Sequence, residues 1–195
     1  MFHLIDDGRP YRIVGLDPGT DTLGVACLDV DLFTGRFDYV EAKTLTGSQY
    51  VKYHRRLEDV RGARFVRLQL LHGMLVDNFQ RLEPNAIITE TPFFNPRRPG
   101  AFESLVEAVA MIGLAVHDYH PDMPLRRVDP AKAKARLGVS GKSSDKDAIR
   151  LALLRSPDLA HCPQLNEIAA MDEHSTDALA IAYFHACDIR AKLFL

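Results

Sequence analysis

The run IVGL over residues 13–16 reads as a buried strand, yet it ends on an acid, Asp17. It then turns at once through Pro18-Gly19 into a second apolar run over 23–30. Two strand-like runs separated by so short a turn lie side by side and antiparallel. A third run over 36–43 follows the Thr34-Gly35 turn and extends the pair into a meander. The carboxylate is the constraint. An unpaired charge at the end of a strand buried on both faces is costly, so Asp17 must cap the turn, pair with another side chain or bind a cation.

Beyond the meander the periodicity becomes helical. From Ser48 to Leu82 the residues Val60, Ala63, Phe65, Val66, Leu68, Leu70, Leu71, Leu75 and Phe79 fall near one broad face, with an interruption expected at Gly62 and an end at Pro84-Asn85. AIIT, 86–89, is a short strand that stops on Glu90. Residues 91–100 form a loop, since Pro92, Pro96 and Pro99 forbid a ladder or a helix there. A helix over 101–119 and a strand over 125–128 follow. Asp129 is the N-cap and Pro130 the first position of a short helix that Gly138 closes. Ser144 and Asp147 form a capping box for a helix to about Arg155, and a last helix holds 177–186. The order β-β-β-α-β-α-β-α-α-α defines an α/β chain with a central five-stranded mixed sheet flanked by helices. Few folds begin with a meander and continue through crossovers, and the pattern resembles the ribonuclease H-like architecture. With no repeat, low-complexity tract or linker, residues 1–195 are expected to form one domain.

Composition narrows the function classes. No apolar run reaches the roughly 18 residues of a membrane span. The opening MFHLIDDGRP carries two acids where a secretory signal is basic, so a cytosolic protein is expected. Cys27, Cys162 and Cys187 lack metal-ligand spacing and read as buried thiols. Net charge is only −2, but it is unevenly spread: residues 1–50 hold 4 basic and 8 acidic side chains, 51–80 hold 6 and 3, and 91–150 hold 10 and 7. Such a distribution suits carboxylates converging on a site while cations in the middle hold an anion; solvated helix faces of mixed sign produce it equally well.

Asp17 is not alone. Glu90 repeats the grammar of an apolar strand ending in an acid, and neighbouring strands of an open α/β sheet that end together place their last side chains at the ligand-binding edge. His174-Ser175-Thr176-Asp177 opens the last helix with a histidine and an acid three residues apart, hence on one side of it. Clustered carboxylates repel and persist where a divalent cation neutralises them. Oxygen-rich ligands without cysteine point to Mg²⁺ or Mn²⁺. Two such ions roughly 4 Å apart can activate a water and stabilise the leaving oxygen of a phosphodiester displacement.

The segments IVGLDPGTDTLGVA, IITE followed by aromatic residues, and HSTDALAIAYFHA resemble, in order and spacing, the motifs of RuvC-type Holliday junction resolvases over about residues 11–187. The resemblance implies a homodimeric, Mg²⁺-dependent endonuclease with two ions per active site, Mn²⁺ substituting, that nicks opposing strands of a four-way DNA junction. It implies that Asp17, Glu90 and Asp177 are catalytic metal ligands. His174 matches a fourth position that is Asp or His among members, binding metal or orienting the attacking water. Phe93, three residues after Glu90, matches an aromatic wedge for the open junction centre, with Phe94 beside it and Arg97 and Arg98 suited to phosphates. Lys132, Lys134, Lys142 and Lys146 lie in what resembles the family's phosphate-contacting segment, with either Lys132 or Lys134 as one counterpart.

Other classes share parts of this pattern. DPGTDTLG also resembles the first phosphate loop of actin-like sugar kinases and ATPases, but those need two such domains and commonly exceed 300 residues. A non-catalytic junction binder would not require the full acidic set. A ribonuclease acting on RNA-DNA hybrid is the nearest neighbour, separable by substrate. The Arg-rich segment 48–67 has no evident counterpart in the family and suits DNA or dimer contacts.

Overall fold

The computed structural model describes residues 9–94, 96, 99–139 and 147–194. Strands β1 (Tyr11–Asp17), β2 (Thr22–Val30) and β3 (Phe37–Thr46) form the expected antiparallel meander. β4 (Ala86–Glu90) and β5 (Leu125–Val128) add in parallel on the far side of β1, giving the order β3-β2-β1-β4-β5. β3 runs three residues longer than its apolar pattern, with a register shift opposite Cys27 and Leu28.

Two helical layers cover the sheet. One contains α3 (Ala63–Leu82) and α4 (Pro99–Tyr119), where Leu71, Leu75, Phe79 and Ile112 pack on Val14, Leu16, Val25 and Ile87. The other contains α5 (Pro130–Arg136), α6 (Ala148–Arg155), α7 (Leu165–Ala169) and α8 (Glu173–Leu193), packed on Ile13, Ala26, Leu28 and Ile88. A fully buried aliphatic side chain contributes about 1.5–3 kcal/mol, and both faces of β1 and β4 are buried in this way. The three cysteines are buried free thiols, as expected.

The helical stretch expected over 48–82, with its interruption at Gly62, is three helices: α1 (Ser48–Val51), α2 (Arg55–Arg61) and α3. Gly62, at φ 82, makes the second break, a left-handed position where glycine has no Cβ to clash. Val60 and Phe65 are 77% and 45% exposed rather than part of the apolar face: Val60 lies in α2, which buries no residue, and Phe65 in the first turn of α3, where it lines a surface recess with Leu68 and Leu114. The last helix starts four residues earlier and ends seven later than its apolar core suggested, and α7 had no periodic signal. α4 is more apolar than expected: Gly100–Tyr119 has a mean hydropathy of 1.4 and a membrane-spanning length, with a third of it buried against α3 and the sheet. Ser144 of the expected capping box lies outside the described residues; Asp147 is itself the N-cap of α6.

Candidate active site

Alternation along the strands decides where the acids point. In β1, Tyr11 and Ile13 face the α8 layer while Val14 and Leu16 face α3 and α4, so the first series continues through Gly15 to Asp17. In β4, Ala86 and Ile88 belong to that same face and the series ends on Glu90. β1 and β4 are parallel with Leu16 opposite Thr89. Asp17 and Glu90 therefore leave adjacent strands at the same edge and on the same face.

α8 reaches them because glycines lie beneath it. A Cβ at Gly15 would sit 2.3 Å from the Ala178 carbonyl oxygen, and one at Gly24, opposite Asp17 on β2, 2.1 Å from that of His174. The helix thus rests on the backbone of β1 and β2 with its first turn over Asp17. Asp172 caps that turn: its Oδ1 accepts from the Ser175 N–H at 2.8 Å and from the Thr44 hydroxyl at 2.7 Å. Gly19 serves the turn after Asp17, where a Cβ would meet the Thr22 carbonyl at 2.1 Å.

His174 Nδ1 lies 2.8 Å from Asp17 Oδ2 and Nε2 lies 2.9 Å from Thr22 Oγ1. With Asp17 ionised, Nδ1–H donates to it, which leaves Nε2 as the nitrogen available to another group. The hydrogen bond to Asp17 raises the His174 pKa, reinforced by the charges of Asp17, Asp172 and Glu173. Burial, and then the charges of Asp17 and Asp177, push the Glu90 carboxyl up to about 8. Burial and then the charge of Asp17 raise Asp177 to about 6. The charge of Asp17 acts on Glu90 and Asp177 and its carboxylate bonds His174, so the strand-end acids and the helix-start pair form one cluster. Lys134 on α5 draws both Glu90 and Asp177 back down. Of the two lysines left open, the half-buried Lys134 faces the acids and Lys132 is exposed.

Phe93 and Phe94 stand beyond Glu90, 56% and 61% exposed, and Phe94 meets Phe102 of α4 edge-on at 5.6 Å. Arg97, Arg98, Lys142 and Lys146 lie outside the described residues. Thr22, Gly15 and Gly24 were not singled out in the sequence. The glycines, in otherwise apolar strands, were the readable signal of a close approach.

A second donor group, Asp38, His161 and Cys162, gathers within 4.8 Å near the start of β3, away from the acids. Arg36 donates to His161 Nε2 at 2.9 Å and pairs with Asp38 at 2.8 Å, so an ion-pair network already engages it.

No protein-family model matches the chain. The crossover junction endodeoxyribonuclease RuvC of Pelotomaculum thermopropionicum is 30% identical over 180 residues, covering 89% of this chain and 92% of that one. That of Dehalococcoides mccartyi is 27% identical over 178 residues, covering 89% and 90%. Thermus thermophilus RuvC in complex with Holliday junction substrate superimposes with a TM-score of 0.65 at 21% identity, over 93% of this chain and 96% of that one. The yeast mitochondrial Holliday junction resolvase Ydc2 does so at 0.60 and 13%, over 95% and 81%. The structural matches establish the ribonuclease H-like α/β fold that the element order suggested.

Proposed function

The chain belongs to the RuvC family of crossover junction endodeoxyribonucleases, and from that premise we propose that it resolves four-way DNA junctions by paired, cation-dependent hydrolysis of phosphodiesters. The observation that carries this reading is the convergence of Asp17, Glu90, Asp177 and His174 from three elements onto one sheet edge. A structural role would not gather three carboxylates where burial and neighbouring negative charge hold Glu90 and Asp177 above the usual carboxylate range.

The donor set fits a hard divalent cation: three carboxylates and one imidazole, with Glu90 mostly protonated near neutrality when nothing else neutralises it. Asp17, Glu90, Asp177 and His174 would hold Mg²⁺, two ions per site, with Mn²⁺ as a substitute. When bound, the ions supply an activated water and stabilisation of the leaving oxygen. The chain's own residues do the rest. Asp17 holds the His174 ring through Nδ1, and Nε2, which meets the Thr22 hydroxyl, would exchange that partner for a cation or the attacking water. Lys134, beside two carboxylates, favours their ionised forms and is placed to meet a phosphate. Phe93 stands free to stack on an unpaired base at the crossover, and Lys132 extends the basic side of α5.

A four-way junction has two strands to cut, so two copies of the chain related by a two-fold axis match it. The protein then acts in whichever compartment holds recombining DNA, the bacterial cytoplasm or that of a host cell. The test is a panel of labelled substrates: four-way junction, duplex, flap, splayed arm and RNA-DNA hybrid, each with Mg²⁺, Mn²⁺ or chelator. Junction nicking that requires the cation supports the reading. Cleavage of hybrid alone would reassign the chain as a ribonuclease H, and cation-independent cleavage would remove the acids from the mechanism.

A further inference from the structure

We propose that residues 48–67 form a basic arm that grips the sugar-phosphate backbone of a duplex arm next to the cleavage site. The inference rests on the junction-binding reading above and adds a second contact surface to it.

Topology places the segment. β3 is antiparallel to β2 and ends at Thr46, opposite Thr22, so the chain leaves the sheet at the edge where β1 delivers Asp17. It returns as α3. Both feet of this excursion are tied to one residue of the turn after Asp17. The Gly47 N–H donates to the Asp21 carbonyl at 2.8 Å and the Ser48 N–H to Asp21 Oδ1 at 2.9 Å, while Arg67 Nε lies 3.8 Å from the same carboxylate oxygen. Gly47 has little room for a side chain, since a Cβ there would meet the Arg67 backbone oxygen at 3.0 Å. The arm is therefore held against the loop that carries the catalytic edge.

Its composition is not that of a packing element. α1 and α2 bury no residue. The segment holds Lys52, Arg55, Arg56, Arg61, Arg64 and Arg67 against Glu58 and Asp59, in a chain whose net charge is −2. Arg64 pairs with Glu107 and Arg67 with Asp21. Lys52, Arg55 and Arg56 are exposed and form no ion pair among the described residues. With Tyr53 they line a surface recess of about 400 Å³.

An exposed row of unpaired cations beside a carboxylate cluster is what a polyanion needs, because phosphates approaching the acids otherwise meet repulsion. Backbone phosphates of a duplex suit this surface better than a single strand. Single strands bind on free aromatic faces, and the Tyr53 ring, 71% exposed, carries the Lys52 ammonium 5.0 Å from its centroid. Cations of this kind contribute affinity and register without reading bases.

The test measures the salt dependence of junction binding by fluorescence anisotropy in chelator, from about 50 to about 300 mM KCl. The proteins are the wild type, Lys52→Ser/Arg55→Ser/Arg56→Ser, the charge-keeping Arg55→Lys/Arg56→Lys, and Arg155→Ser, an exposed cation at the end of α6, as control. The slope of log K against log salt should fall by about 1 for each phosphate-contacting cation removed, hence by about 2 to 3 in the triple variant. It should stay at the wild-type value in the lysine variant and the control. Thermal unfolding should be unchanged, since none of the three side chains is buried. A triple variant with the wild-type slope, while the wild type binds the junction, overturns the arm and leaves the junction reading intact. A wild type that binds no junction overturns both.

Discussion

Replacing Glu90 by glutamine should stabilise the protein while abolishing cleavage, and the size of the gain follows from the site. The Glu90 carboxyl sits at about 8 instead of 4.5. At about 1.36 kcal/mol per pH unit, keeping it ionised in the fold costs about 5 kcal/mol. Near pH 7 the folded chain avoids part of this by holding a proton that the unfolded chain has released, and the net penalty is then about 3 kcal/mol. The folded pKa is raised, so this penalty is absent below about pH 4.5 and grows as pH rises until it saturates above about pH 8. Asp177, raised from 3.8 to about 6, and His174, also raised, move stability the same way. The carboxyls of Asp31, Glu41, Asp158 and Asp172 are lowered and lose their contribution only in more acid solution. His185, lowered to about 4 by burial, works the other way below about pH 6.5, so it is between about pH 6.5 and 8 that the cation-free wild type should lose stability. An amide retains part of the burial cost, so Glu90→Gln should gain about 2 kcal/mol near pH 7.5, or about 4–8 °C in Tm for a chain of this length. Calorimetric melts in chelator across that range measure it, and excess Mg²⁺ should then raise the wild-type Tm well above its own value in chelator. A variant melting at or below the wild type near pH 7.5, or gaining as much near pH 4.5, would refute the reasoning.

His174→Asp should retain junction cleavage and His174→Ala should lose most of it, read as single-turnover rates; an alanine variant cutting normally would make the position structural. Gly24→Ala drives a Cβ to within 2.1 Å of the His174 carbonyl, so denaturant unfolding should show a loss of about 1–3 kcal/mol, with activity falling as the helix start is displaced. Phe93→Ala, at a side chain 56% exposed, should leave Tm unchanged and weaken junction binding by about 1–3 kcal/mol if the ring stacks on a base; equal affinity in anisotropy titrations would remove it from the interface.

The acids were legible because strand periodicity is rigid: once 11–17 and 86–90 are strands, alternation assigns Asp17 and Glu90 to one face. Parallel pairing then puts them at one edge. The His174–Asp177 pair was legible from its spacing alone, but the bonds of the imidazole to Asp17 and Thr22 were not, since they depend on how deeply α8 settles onto Gly15 and Gly24. The choice between Lys132 and Lys134 was open for a related reason: a helix of seven residues shows too little periodicity to reveal its docked face. Residues 48–82 misled at Val60 and Phe65, which continue the apolar pattern of α3 without being buried. An exposed apolar residue and a buried one look alike in a string of letters.

The most direct test labels each strand of a four-way junction with a fixed crossover in turn, and maps the nicks made by the wild type and by Asp17→Asn in Mg²⁺. Asp17 bonds the helix through His174 Nδ1, and an amide oxygen can accept that same bond, so Asp17→Asn keeps the contact while removing a charge from the acid cluster. The account predicts two nicks placed symmetrically across the crossover on opposing strands, absent from the parent duplexes, and lost in the variant. Nicks that persist in Asp17→Asn, or duplex cut as readily as junction, would contradict it.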